Sequence, residues 1–147
     1  MAGDQFVASS GIVRIDGSLS QPIATPSPLL VAQITTHTAD TNADFRISLV
    51  ELTRVIELYN TRIGTTRTGR YLLQDGTEDG FGLDAITPAA APATLARFHS
   101  ADVNRTATIS LFELTRVIEL YNVRAGTART GAYHFQTGTE DGFAPGP

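Results

Sequence analysis

The sequence predicts an α+β fold made of two tandem loop-helix units with short β-strands and an extended, strand-rich N-terminal arm. The first observation is a duplication, because residues 37–81 align without a gap with residues 99–143 and are identical at 31 of 45 positions. The second is an oxygen-rich stretch of twelve residues followed by helical apolar spacing in each copy. The third is an alternation of apolar and polar residues after each helix, which is typical of strands.

The duplication divides the chain into segments. Two copies of one supersecondary unit usually bury their apolar faces against each other. In the N-terminal segment, GIVRI, Asp16-Gly17 and SLS predict a hairpin, and PLLVAQIT predicts a third strand. We expect a β-rich arm at 1–36, repeat 1 at 37–81, an Ala/Pro-rich connector at 82–98, repeat 2 at 99–143 and a tail at 144–147.

The stretch DTNADFRISLVE, residues 40–51, has the spacing by which a short loop wraps a hard cation. Ca²⁺ takes six to eight oxygen ligands, which alternate residues of a bending loop can supply. The sequence therefore predicts a Ca²⁺ site, with a backbone carbonyl at position 7 and a water at position 9. The residues at loop positions 1, 3, 5, 7, 9 and 12 are Asp40, Asn42, Asp44, Arg46, Ser48 and Glu51.

The stretch DVNRTATISLFE, residues 102–113, predicts a weaker second site. One carboxylate is lost at position 5, and the corresponding residues are Asp102, Asn104, Thr106, Thr108, Ser110 and Glu113. Both loops also lack the glycine that eases the turn at position 6, where Phe45 and Ala107 stand. A left-handed conformation costs such residues roughly 1–2 kcal/mol. The alternatives are Asx-rich capping turns without metal and, at Asn104, an N-glycosylation acceptor.

One amphipathic helix should follow each loop, through the shared ELTRVIELYN. Ser48 and Ser110 each stand three residues before a glutamate, which is a helix start signal, so capping and metal binding compete as roles for that glutamate. Gly64 and Gly126 mark the region by which each helix has ended. The predicted apolar stripes are Leu49, Leu52, Ile56 and Tyr59 in repeat 1, widened by Val55, and Leu111, Leu114, Ile118 and Tyr121 in repeat 2, widened by Val117.

A short strand and a polar turn should close each repeat. Tyr71 with Leu73, and Tyr133 with Phe135, alternate between glycines. The turns that follow contain the carboxylate pairs 78–79 and 140–141. Their ordinary role is turn chemistry, and acid-base catalysis or an extra calcium contact is the alternative.

The histidines do not form a ligand cluster. His37 and His99 each precede a loop by three residues, and His134 lies in the second predicted strand. We interpret His37 and His99 as solvated or capping residues rather than metal ligands.

The stretches DTNADFRISLVELTRVIELYN and DVNRTATISLFELTRVIELYN resemble the duplicated loop-and-helix units of dockerin domains, which are similar to EF-hands lacking the entering helix. The resemblance implies two tandem EF-hand-type units and the calcium ligands named above in both loops. It does not cover the N-terminal segment or the RTGxYxxQxGTEDGF tails. The partner-binding residues of dockerins do not transfer to this helix sequence.

Composition bounds the function. The net charge of −4 gives no basic field for nucleic acid, and no apolar stretch approaches the roughly 18 residues of a membrane span. Cysteine is absent, which removes disulfides and thiol catalysis, and the sequence has no nucleophile elbow, phosphate loop or zinc signature. We therefore expect a protein that is not an enzyme.

The expected function is that of a calcium-binding structural protein, extracellular or at the cell surface, since weak loops need the millimolar calcium found there. Its expected partners are copies of itself, in oligomers or filaments stabilised by Ca²⁺. The alternative is a dockerin-like adaptor that docks a larger secreted protein to a cohesin-like receptor.

Overall fold

The computed structural model describes residues 35–147, and the predicted N-terminal hairpin and third strand lie outside the described residues. The described part is an α+β arrangement in which a helix and two small hairpins follow one another in the same order in each repeat. Its two helices are accompanied by four antiparallel sheets of two strands each.

The helices are α1 (Leu49–Tyr59) and α2 (Leu111–Tyr121), as the shared ELTRVIELYN predicts. In repeat 1, β1 pairs with β2 and β3 with β4; in repeat 2, β5 pairs with β6 and β7 with β8. The strands are β1 (Arg62–Ile63), β2 (Thr66–Arg67), β3 (Tyr71–Leu73), β4 (Phe81–Leu83), β5 (Arg124–Ala125), β6 (Ala128–Arg129), β7 (Tyr133–Phe135) and β8 (Phe143–Pro145).

The predicted strands β3 and β7 are confirmed, and the buried face of each helix differs in part from prediction. Helix α1 ends at Tyr59, so it has ended before Gly64 as predicted, and Gly64 itself lies in the turn of hairpin β1–β2 with φ of +59°. Leu52 and Val55 of the predicted stripe are buried, whereas Leu49 is exposed and Leu58, which was not predicted, is buried. Leu111 is exposed in the same way in α2.

The predicted pair of EF-hand-type units is wrong. In paired loops of that type the residues at position 8 hydrogen-bond to each other. Here these residues are Ile47 and Ile109, and the Ile47 N–H donates to Gly131 O at 2.9 Å while the Ile109 N–H donates to Gly69 O at 2.8 Å. Each loop is therefore joined to the chain that follows the opposite helix. Glycine makes this approach possible, since a Cβ added at Gly69 would lie 2.3 Å from Ile109 O.

The core lies between the two repeats. The two helices contact each other, and their inward residues are buried together with the aromatic side chains of hairpins β3–β4 and β7–β8. Burial of one leucine or valine side chain contributes about 1.5–3 kcal/mol, so the shared core is the main force that holds the repeats together. The fully buried aliphatic residues of the helices are Val55, Leu58, Val117 and Leu120.

Candidate functional site

Each loop joins its helix through a capping box. The Ser48 hydroxyl accepts the N–H of Glu51, and the Glu51 carboxylate accepts the Ser48 N–H at 2.9 Å. Ser110 and Glu113 do the same at the start of α2, also at 2.9 Å. Capping is thus the observed role of both glutamates, and their negative charge also suits a helix N-terminus.

The first aspartate of each loop organises the loop around itself. Asp40 Oδ1 accepts the N–H of Asp44 at 3.1 Å, and Oδ2 accepts the N–H of Phe45 at 2.8 Å. In loop 2, Asp102 accepts the corresponding N–H groups at 3.0 and 2.8 Å, from Thr106 and Ala107. These bonds hold the backbone of both loops around the aspartate.

A tyrosine from the opposite repeat donates a further hydrogen bond to each aspartate. The Tyr133 hydroxyl donates to Asp40 Oδ2 at 2.7 Å and accepts the N–H of His37 at 2.9 Å. Tyr71 donates to Asp102 Oδ2 at 2.6 Å in the same way. Burial, and then the hydrogen bond to the aspartate, raises the pKa of both tyrosines above its usual value. Both hydroxyls therefore remain protonated donors that tie the repeats together.

The loop backbone is strained where the sequence lacks glycine. Four non-glycine residues have positive φ values of 57–62°, and they are Ala43, Phe45, Arg105 and Ala107. The prediction that position 6 is left-handed without glycine is therefore confirmed. Each such residue costs roughly 1–2 kcal/mol, a strain that persists only where surrounding bonds over-determine it. The hydrogen bonds from loop N–H groups to Asp40 and Asp102 hold these residues in the left-handed conformation.

The glutamates of the two loops differ in the partner of one carboxylate oxygen. Glu113 is only 4 % exposed, and within residues 35–147 its Oε1 has no hydrogen-bond partner. The equivalent oxygen of Glu51 accepts the Thr41 N–H at 2.8 Å, whereas the Val103 N–H bonds to Ala101 O at 3.1 Å instead. A buried carboxylate oxygen without a donor is costly, and a bound cation would satisfy it.

The remaining predicted ligands lie at the loop surface. The structure brings no three acidic or histidine side chains of residues 35–147 together as a metal-binding group. A Ca²⁺ ion would therefore also need neutral oxygens from amides, carbonyls and water, which calcium accepts. The predicted ligands that are exposed are Asn42, Asp44, Arg46, Ser48, Asn104, Thr106 and Ser110, and Thr108 is half-buried.

The interpretation of His37 and His99 as solvated residues is wrong, since both are buried with ring centroids 6.0 Å apart. The capping interpretation agrees with the structure, because each Nδ1 accepts the N–H two residues later at 3.1 Å. No described residue bonds either Nε2. Burial lowers the pKa of His37 to about 4 and holds the pKa of His99 well below its usual value. The only sequence signal was their equivalent position in both repeats.

The aspartate of each GTEDGF turn forms an ion pair with an arginine of the helix in the same repeat. Asp79 binds Arg54 of helix α1 through two bonds of 3.0 and 3.3 Å, and Arg54 also donates to Phe81 O at 2.5 Å. Asp141 binds Arg116 of α2 in the same arrangement. These pairs fasten each turn to its helix.

Two apolar pairs are exposed at equivalent places beside the loops. They occupy the first turn of each helix, where the sequence predicted Leu49 and Leu111 to lie in the buried stripe and offered no signal for Val50 and Phe112. Large contiguous apolar patches mark interaction sites, so these neighbouring exposed side chains are candidates for a contact surface. The exposed fractions are 60 % for Leu49, 70 % for Val50, 63 % for Leu111 and 86 % for Phe112.

Comparison with protein-family models, with curated proteins and with solved structures finds no match to this chain. The resemblance to dockerins therefore stays a hypothesis carried by the two loop-helix stretches. Neither helix in the described part of the chain combines the length and the apolar character needed to cross a membrane.

Proposed function

We propose that this protein is a non-enzymatic, calcium-stabilised structural module that works outside the cell by associating with copies of itself. The observation that carries the proposal is the buried Glu113 Oε1, which lacks a partner among the described residues at the helix end of an oxygen-rich loop. Strained loop backbone beside it supports a functional role for the loop.

Calcium would be held by side chains and a carbonyl of loop 2, with loop 1 as a second site of different strength. When bound, the ion supplies positive charge that neutralises the two carboxylates of loop 2. Asp102 accepts the hydroxyl of Tyr71 from the other repeat, so an ordered Asp102 also orders the contact between repeats. The residues of loop 2 that would hold the ion are Asp102, Asn104, Thr108 and Glu113.

The expected affinity is that of extracellular modules, about 10⁻⁴ to 10⁻³ M. Loop 2 has only two carboxylates, one fewer than loop 1, and it has two left-handed non-glycine residues; both features weaken binding. The cytosol does not supply calcium at that concentration, and for this reason we place the working site outside the cell.

Thermal unfolding with Ca²⁺, with Mg²⁺ and with chelator tests the calcium proposal. Calcium at a hundred times Kd should stabilise the fold by about 2.7 kcal/mol. Glu113→Gln, which keeps an oxygen for the cap, should lose most of this gain. Glu119→Gln, at an exposed carboxylate of the same helix, should keep it. An unchanged melting temperature of the wild type in 10 mM Ca²⁺ would refute the proposal.

Sedimentation over a range of protein concentrations tests the association. Assemblies that form with Ca²⁺ and dissolve with chelator support the proposal. The exposed apolar pairs also favour a second candidate, an adaptor that binds a separate receptor domain. A strict monomer that loses binding to its receptor after Val50→Asp and Phe112→Asp would support the adaptor instead.

A further inference from the structure

The hydrogen bonds that join the two repeats occur in equivalent pairs. Ile47 N–H to Gly131 O, at 2.9 Å, corresponds to Ile109 N–H to Gly69 O, at 2.8 Å. The tyrosine hydroxyls bind the aspartates of the opposite loops at 2.7 and 2.6 Å. A second copy of the chain has the identical repeat 2, so it can present to repeat 1 the same groups that the repeat 2 of the same chain presents.

The connector is held by repeat 1, and chiefly by one buried arginine. Arg70 donates to the carbonyl oxygens of Ala89, Ala91 and Pro92 at 3.3, 2.9 and 3.1 Å, and its Nε lies 3.7 Å from Asp84 Oδ2. Its side chain is 4 % exposed. Repeat 2 has Ala132 at the equivalent position. Arg70 is therefore specific to the connector and not part of the shared repeat design.

The length of the connector decides how far repeat 2 can travel. Residues 84–98 contain no helix or strand, and fully extended they would span about 50 Å. While Arg70 holds the carbonyls, the connector stays folded on repeat 1 and repeat 2 stays close to it. A released connector lets repeat 2 reach the repeat 1 of a neighbouring molecule.

We propose that the surface by which the two repeats pair also accepts the opposite repeat of a second copy, and that Arg70 favours pairing within one chain by clamping the connector. The inference rests on the self-association in the proposed function and does not require calcium. An exchanged dimer re-forms the bonds between repeats, so the connector contacts and the effective concentration of the tethered repeat decide between the two forms.

A cysteine cross-link measures the exchange directly. Thr38 Oγ1 and Ser100 Oγ lie 2.7 Å apart across the two repeats, and the chain has no cysteine of its own. One protein carries Thr38→Cys and another carries Ser100→Cys, and the two are unfolded, refolded together and oxidised. A disulfide between the two chains requires repeat 1 of one to meet repeat 2 of the other. The double variant, which closes the bond within one chain, is the positive control.

Arg70→Ala in both partners should raise the yield of cross-linked dimer about tenfold or more, since hydrogen bonds from a charged group are lost. Arg62→Ala, at an exposed arginine of hairpin β1–β2, should leave the yield unchanged. Asp84→Asn should raise it less, because its Oδ can still accept the N–H groups of Ile86 and Thr87. This variant also decides the question if Arg70→Ala fails to fold.

Two results would overturn the inference. Equal yields in the Arg70→Ala, Asp84→Asn and Arg62→Ala backgrounds would show that Arg70 does not control pairing. No cross-link between chains in any background, at protein concentrations up to about 1 mM, would show that repeats are not exchanged. If sedimentation detects assemblies but no cross-link forms, self-association stands through another surface and only the exchange is wrong.

Discussion

Gly131 is the position where a single methyl group tests the pairing of loop and hairpin. Its φ is +61°, and a Cβ added there would lie 2.3 Å from the carbonyl oxygen of Ile47 and 3.2 Å from the carbonyl carbon. Gly126 has nearly the same φ of +65°, but a Cβ there would meet nothing within 4 Å. Substitution by alanine therefore has the same conformational cost at both glycines, and only at Gly131 does the new methyl group also collide with the backbone of Ile47.

The magnitudes follow from this difference. Alanine in the left-handed region costs roughly 1–2 kcal/mol at either position. At Gly131 the backbone must also move, which costs about 1–3 kcal/mol for overpacking and about 1 kcal/mol for the weakened Ile47 N–H to Gly131 O bond. We therefore expect Gly126→Ala to lose about 1–2 kcal/mol and Gly131→Ala to lose about 3–6 kcal/mol.

Urea unfolding followed by circular dichroism measures both variants, and Gly69→Ala with Gly64→Ala repeats the comparison in repeat 1. In that repeat too, only the first position is close to backbone, 2.3 Å from Ile109 O. Equal losses of unfolding free energy within each pair would refute the reasoning. They would mean that the loops do not contact the hairpin regions of the opposite repeats.

The remaining predictions concern the buried polar groups of the core. The pKa of His37 is about 4 in the folded state and 6.5 in the exposed state, so the unfolded state takes up the proton first. As the pH drops from 6.5 towards 4, His37 alone should lower the stability by about 1.4 kcal/mol per pH unit, and His99, whose pKa is also lowered by burial, should add to the loss. Melting curves against pH measure this loss, and an equally steep fall in His37→Gln would contradict the assignment. Tyr133→Phe removes the donor to Asp40, and we expect a loss of about 1–3 kcal/mol in urea unfolding. Tyr121→Phe, whose hydroxyl makes no bond within the described residues, should lose little.

Features that depend on near neighbours were predictable from the sequence. The start of each helix follows from Ser48 or Ser110 and a glutamate three residues later, and the capping boxes form as the pattern predicts. Strands β3 and β7 follow from alternation within three residues. The hairpins β1–β2 and β5–β6 were missed because two-residue strands carry no periodicity.

The candidate site was only partly predictable. Its residues follow from loop spacing, and the left-handed turn at Phe45 follows from loop shape. Whether each carboxylate oxygen receives a hydrogen bond does not follow from the sequence, because this depends on which donor the folded loop places beside it. Glu51 and Glu113 lie in helices that differ only at Val50 and Phe112, yet only Glu51 Oε1 receives an N–H donor, from Thr41.

The sequence by itself determined the duplication, the two helices with their caps and the oxygen-rich loops, since each depends on residues within about one or two helical turns. Only the tertiary structure decided which element each loop joins and that the histidines are buried. His37 N–H meets the Tyr133 hydroxyl across 96 residues of chain, and Asp40 meets the same hydroxyl across 93. Local periodicity carries no information about contacts at that separation, which arise when two nearly identical surfaces close around one core.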